Sequence, residues 1–213
     1  MKNETLDSDA LLSEKNLFSI YVAARKVRSS RFNLITTVIF FVAAVLQAVL
    51  SPQTVEAKVE FVRKYADFGF NAALTTMGFL VAGFTIFATL SDPELFIKMG
   101  QRLHPDSKIS WLKHNFFLFI RVFIYFIVFI VWCLLVIVFG SKSGVVSYLI
   151  MLFDDAAVIR EWVASAAQVL LITGFYFILM QLKSFVFNMH HAVMTSLKWK
   201  WDKADKADKG GEG

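Results

Sequence analysis

Charge and cysteine are both scarce in this chain. Asp, Glu, Lys and Arg make up 18% of its 213 residues, against 57% hydrophobic residues and a mean hydropathy of +0.58. Soluble domains carry about a quarter charged residues, so a water-exposed globular fold is excluded. Cys133 is the single cysteine, which rules out an intrachain disulfide and a cysteine-based metal cluster. His104, His114, His190 and His191 occur without the HExxH or carboxylate pairing that a metal hydrolase needs. No P-loop, GxGxxG or GxSxG is present. Catalysis, a cofactor and a metal are therefore not expected. The first thirty-one residues hold no apolar core of about 7 to 15 residues, so no cleavable leader is expected either.

What the chain has instead is long apolar runs. Phe32 to Leu50 and Phe68 to Leu90 are free of charge over 19 and 23 residues, and Asn115 to Phe139 covers 25 with one interruption at Arg121. Val163 to Phe187 covers another 25, with Gln168 and Gln181 inside and Lys183 near its end. At about 1.5 Å per helical residue each run matches a hydrocarbon core of roughly 30 Å. The alternation of a barrel strand is missing, so helices are expected. The expected fold is thus all-α and polytopic, with four transmembrane helices in a membrane domain over residues 32–190. No acidic residue falls inside a run, which disfavours an ion-coupled transporter.

Basic residues decide orientation. Sixteen Lys and Arg fall in the amino-terminal segment, second loop and carboxy-terminal segment, against five in the other two loops. Both termini are therefore expected on the cytoplasmic side of the membrane. The same distribution assigns the basic charge (net +5) to topology and anionic lipid, not to a nucleic-acid duplex. Residues 1–31, with Leu11, Leu12, Leu17, Phe18, Tyr21 and Val22 ahead of Arg25, Lys26, Arg28 and Arg31, suit either a plain topology anchor or an amphipathic basic segment on the inner leaflet. In the loop 91–114, Ser91 and Glu94 have capping-box spacing and Pro93 suits a first turn, predicting a short helix to about Leu103. The third loop, with Asp154, Asp155 and Glu161, reads as a mixed, weakly acidic surface. In the terminal segment 191–213 the repeated Asp-Lys-Ala predicts a helix end followed by a disordered tail. Arg121 is expected to snorkel, and its otherwise apolar helix to face lipid.

Two stripes could carry function. Asn71, Thr75, Gly78, Ala82, Thr85 and Thr89 share one face of the second span at alternating spacings of four and three. A small, polar, uncharged stripe serves either close helix packing or the lining of a pore in a symmetric oligomer. Both readings stand on the sequence. Gln181, Ser184, Asn188 and His191 form a second stripe running out of the fourth span, which suits a cytosolic gate or vestibule or a plain solvated helix end.

The stretch GFNAALTTMGFLVAGFTIFATLSDPELFIKMG, from Gly69 to Gly100, resembles small four-span membrane effectors of bacterial anti-phage defence systems, those of the Hailong type. The resemblance covers roughly a third of the chain. It implies a homo-oligomeric ion channel of the bacterial inner membrane that a nucleotide-derived activator from a partner nucleotidyltransferase controls; a tetramer is the expected assembly. Its pore residues would be the second-span stripe, and an anionic activator would dock on Arg25, Lys26, Arg28, Lys98 and Arg102. The competing reading from another class is a non-conducting scaffold or sensor. In it the second span packs against the first, through Asn33, Ala44 and Gln47, or against the fourth, and the basic face recruits a protein partner.

Overall fold

The computed structural model describes residues 13–27, 30–141 and 144–210. Seven helices follow one another among them: α1 (Leu17–Ala24), α2 (Arg31–Leu50), α3 (Val55–Leu90), α4 (Pro93–Gln101), α5 (Trp111–Phe139), α6 (Val145–Met151) and α7 (Ala156–Gly210). Four of these, α2, α3, α5 and α7, are long and apolar enough to cross a membrane. The chain is an all-α polytopic membrane protein, as its composition requires.

Three of the four helices outrun the apolar windows that reveal them. α3 has 36 residues and α7 has 55. The added first turns of α3 are rich in Glu, Lys and Arg, good helix formers, and Val62 and Ala66 are buried like Ala73 further along. Charge ended the apolar run there, but not the helix. The same correction applies to the expected disordered tail, where Lys and Ala continue α7 to Gly210. Within the third loop lies α6, and Tyr148, Leu149, Met151 and Phe153 on and just after it are exposed, so that segment is more apolar than the expected acidic surface. α4 occupies the predicted helix, but its cap is Asp92, whose carboxylate accepts from the Glu94 amide at 2.9 Å. Ser91 instead donates to the Phe87 carbonyl at 2.8 Å.

The chain divides into two compact units, one of Met1–Arg28, Leu80–Ile124 and Leu182–Gly213, the other of Ser29–Phe79 and Tyr125–Gln181. In the second of these, Phe129 of α5 lies against glycines of both other long helices. A Cβ added at Gly174 would meet its ring at 2.9 Å, and one at Gly69 would meet Phe129 and Cys133 Sγ at 3.3 Å. Absent side chains bring the helices close enough for ring-to-backbone contact, the main attraction available between helices in lipid. α2 is held to α7 by the Asn33 amide, which donates to the Met180 carbonyl at 2.9 Å, and by Phe40 stacked on Tyr176 at 4.3 Å. Where α3 begins, buried Lys58 meets Glu161 at 3.1 Å and Ser165 at 3.0 Å, while Arg63 donates to the Gly140 carbonyl at 2.8 Å.

In the other unit, Ala24 and Val27 pack on Phe117, leaving Leu17, Phe18 and Val22 of α1 exposed. Arg121 is buried and donates to the Val27 carbonyl at 2.7 Å. The expected snorkelling role is thereby corrected: the guanidinium is spent on ending the α1 segment. The apolar window of α5 is more buried than those of α2 and α3, while Val128, Val131, Leu134 and Val138 remain exposed, so one face of it packs and another stays open.

Two consequences are measurable by thermal unfolding in detergent. Gly174→Ala should lower stability by about 1–3 kcal/mol through overpacking against Phe129. Gly83→Ala, with nothing within 4 Å of its added carbon, should leave stability unchanged or slightly higher. Glu161→Ala strands the buried Lys58 ammonium and should cost on the order of 2 kcal/mol, whereas Lys58→Met, which removes the charge itself, should cost less. The reverse order would mean that the pair contributes nothing there.

Candidate functional site

The unit containing α4 carries a cavity of about 430 Å³. Three segments build it. α4 turns Leu95, Lys98 and Met99 towards it, and Arg102 follows at the helix end. The next residues form a tight reversal: Leu103 pairs with Ser110, the Trp111 amide donates to the Arg102 carbonyl at 2.9 Å, and Lys108 takes a positive φ of 53°. Stacked imidazoles of His104 and His114, 3.8 Å apart, close the reversal, with Ser107 Oγ 2.9 Å from His114 Nδ1. This chain reversal sets Trp111 beside Arg102 and starts α5, which contributes Asn115, Leu118 and Phe119. α7 completes the wall with Asn188, His191, Ala192, Thr195 and Trp199.

The lining is uneven in charge. It includes Lys98 and Arg102 but no carboxylate. Lys98 lies 4.4 Å over the Trp199 ring, a cation–π contact, and 2.9 Å from Glu94. Glu94 also receives Lys203 at 2.6 Å. Hydrogen bonds from Lys203 and then Lys98, with their charges, hold the Glu94 carboxyl at about 2, below its ordinary 4.5. Arg102 has no side-chain partner among the described residues, and the Trp199 indole N–H is buried without one.

The predicted site residues separate. Asn188 and His191 reach the cavity, Ser184 is half-buried, and Gln181 is buried in the other unit. Lys98 and Arg102 line the cavity, whereas Arg25 and Lys26 are exposed and are not among its lining residues. Arg28 lies outside the described residues. Trp111, Asn115 and Trp199 were missed; the available signal was Trp111, four residues ahead of the third apolar run, where amphipathic aromatics collect.

All six residues of the second-span stripe are exposed: Asn71, Thr75 and Gly78 in one unit, Ala82, Thr85 and Thr89 in the other. Nothing lies within 4 Å of a Cβ built at Gly78. Thr85 donates to the Val81 carbonyl at 2.9 Å, Thr89 to Ile86 at 3.0 Å and Asn71 to Asp67 at 2.9 Å. Of the opposing face expected on α2, Asn33 and Ala44 are buried and Gln47 is exposed. No group of His, Cys, Asp and Glu among the described residues could hold a metal ion. Comparison with family models, curated proteins and solved structures gave no match.

The Glu94 cluster makes a pH prediction. Its carboxylate pairing is complete above the ordinary value of 4.5 and is lost as pH falls through about 2. A carbon-13 titration of glutamate carboxyls, with Glu94→Gln identifying the signal, should give a midpoint below about 3. A midpoint near 4.5 would show that Lys203 and Lys98 do not hold it.

Proposed function

We propose that the protein is a homo-oligomeric, gated ion channel of a bacterial inner membrane, with both termini in the cytoplasm and the α3 stripe facing the conduction path. The observation that carries this reading is the exposure of all six stripe residues. A helix face turned to lipid is normally apolar and bulky, and one packed on a neighbour is covered. This face is neither. Its Thr85 and Thr89 hydroxyls bond back to their own helix, yet each retains lone pairs that water or a passing ion can use. Four helices enclose too little volume for a path, so symmetric copies must supply the rest. The lack of any carboxylate in the predicted apolar runs is consistent with passive conduction. The resemblance of residues 69–100 to anti-phage effectors supports a channel that a nucleotide signal controls and whose opening depolarises the cell. The scaffold reading, in which the stripe packs inside its own chain, is disfavoured by the same exposure.

Planar-bilayer recording of the purified oligomer tests the assignment. Thr85→Trp and Ala82→Phe should abolish conductance while leaving the oligomer intact on size exclusion. Unchanged single-channel current in both variants would remove α3 from the pore. In a Cys133→Ala background, cysteines placed at Thr75, Gly78 and Thr85 should react with a charged, water-borne thiol reagent.

A further inference from the structure

We propose that the cavity between α4, α5 and α7 binds the headgroup of an anionic phospholipid, with its phosphate diester at Arg102. This inference stands on the membrane fold and the cavity chemistry, and does not depend on conduction through α3.

Position is the first argument. The cavity residues of α5 start at Trp111 and those of α7 at Asn188, which are the points where the apolar runs 115–139 and 163–187 give way to polar sequence. That level is the membrane–water boundary, where headgroup phosphates lie and where tryptophan concentrates. The volume, about 430 Å³, falls in the range of small-molecule sites, roughly 300–1,000 Å³.

Chemistry is the second. Arg102 supplies a cation with no side-chain partner among the described residues, while Lys98 is already shared with Glu94. Asn115 and Asn188 offer amide donors, and the buried Trp199 N–H lacks an acceptor. Each of these groups donates, and no lining carboxylate competes. A phosphate diester is acceptor-only and anionic, so it suits a lining rich in donors and forms a charge-assisted bond with Arg102. Leu95, Leu118 and Phe119 complete the lining with apolar surface. A free soluble anion leaves that surface unused, whereas the glycerol backbone and first methylenes of a lipid cover it. Basic recesses among transmembrane helices on the cytoplasmic side are a recurring form of headgroup recognition.

The test uses the full chain in phosphatidylcholine nanodiscs containing a rising fraction of phosphatidylglycerol with brominated acyl chains, read by quenching of tryptophan emission. Quenching should saturate at a low mole fraction of brominated phosphatidylglycerol and be absent at that fraction with brominated phosphatidylcholine. Arg102→Gln combined with Lys98→Gln should require about tenfold more lipid. Arg25→Gln with Lys26→Gln removes equal charge outside the cavity and should leave the curve in place. Equal quenching by the two lipids, or equal weakening by both variant pairs, would overturn the proposal, since either reports a general surface effect. Displacement of the quenching component by millimolar ATP or glycerol phosphate would also overturn it, in favour of a soluble phosphate ester. Unchanged size-exclusion profiles for the variants, whose substituted side chains are exposed, exclude misfolding as the cause.

Discussion

The contact on which the rest of this structure depends is the Phe129 ring against Gly69 and Gly174. Inside a bilayer apolar side chains gain little by leaving lipid for protein, so helices associate through shape and a few polar bonds. A bare backbone facing a ring is the closest fit available to α3, α5 and α7 of that unit. It also picks out which face of a helix as apolar as α5 packs: that face is chosen by complementarity with glycine, not by hydrophobicity.

Polar groups then define what packing alone leaves loose. Apolar surfaces slide and rotate at small cost, whereas an amide or guanidinium inside the membrane must reach one particular acceptor. Asn33 reaches the Met180 carbonyl and so registers α2, of which little else is buried. Lys58 reaches Glu161 and Ser165 and joins the first turns of α3 to those of α7. Arg121 reaches the Val27 carbonyl and secures the segment after α1. Each is a costly group placed where its removal leaves a dangling partner.

Among the surfaces that the fold leaves open, the α3 stripe and the α4 cavity differ in kind. The α3 stripe is small, uncharged and open, suited to transit or to a second copy of the chain. The cavity bounded by α4, α5 and α7 is cationic, donor-rich and aromatic, suited to holding an anion. One surface offers no strong bond and the other offers several unfulfilled ones. That contrast is what a conducting path and a regulatory binding site would each need, since an ion must leave and a ligand must stay.

The sequence by itself determined the helical class, the membrane setting and the number of spans, because the absence of charge over about twenty residues has one low-energy solution in lipid. It also placed the α3 stripe on one face, since helical spacing alone specifies that. The apolar runs marked the spans and not the helix ends, since α3 starts at Val55 and α7 continues to Gly210, because hydropathy reports the membrane and not the backbone. Only the tertiary structure decided that Arg121 is buried, which face of α5 packs, and that Lys98 and Arg102 share a cavity with Trp111, Asn188 and Trp199. Those outcomes depend on which residues from distant segments meet, and local periodicity carries no record of that pairing.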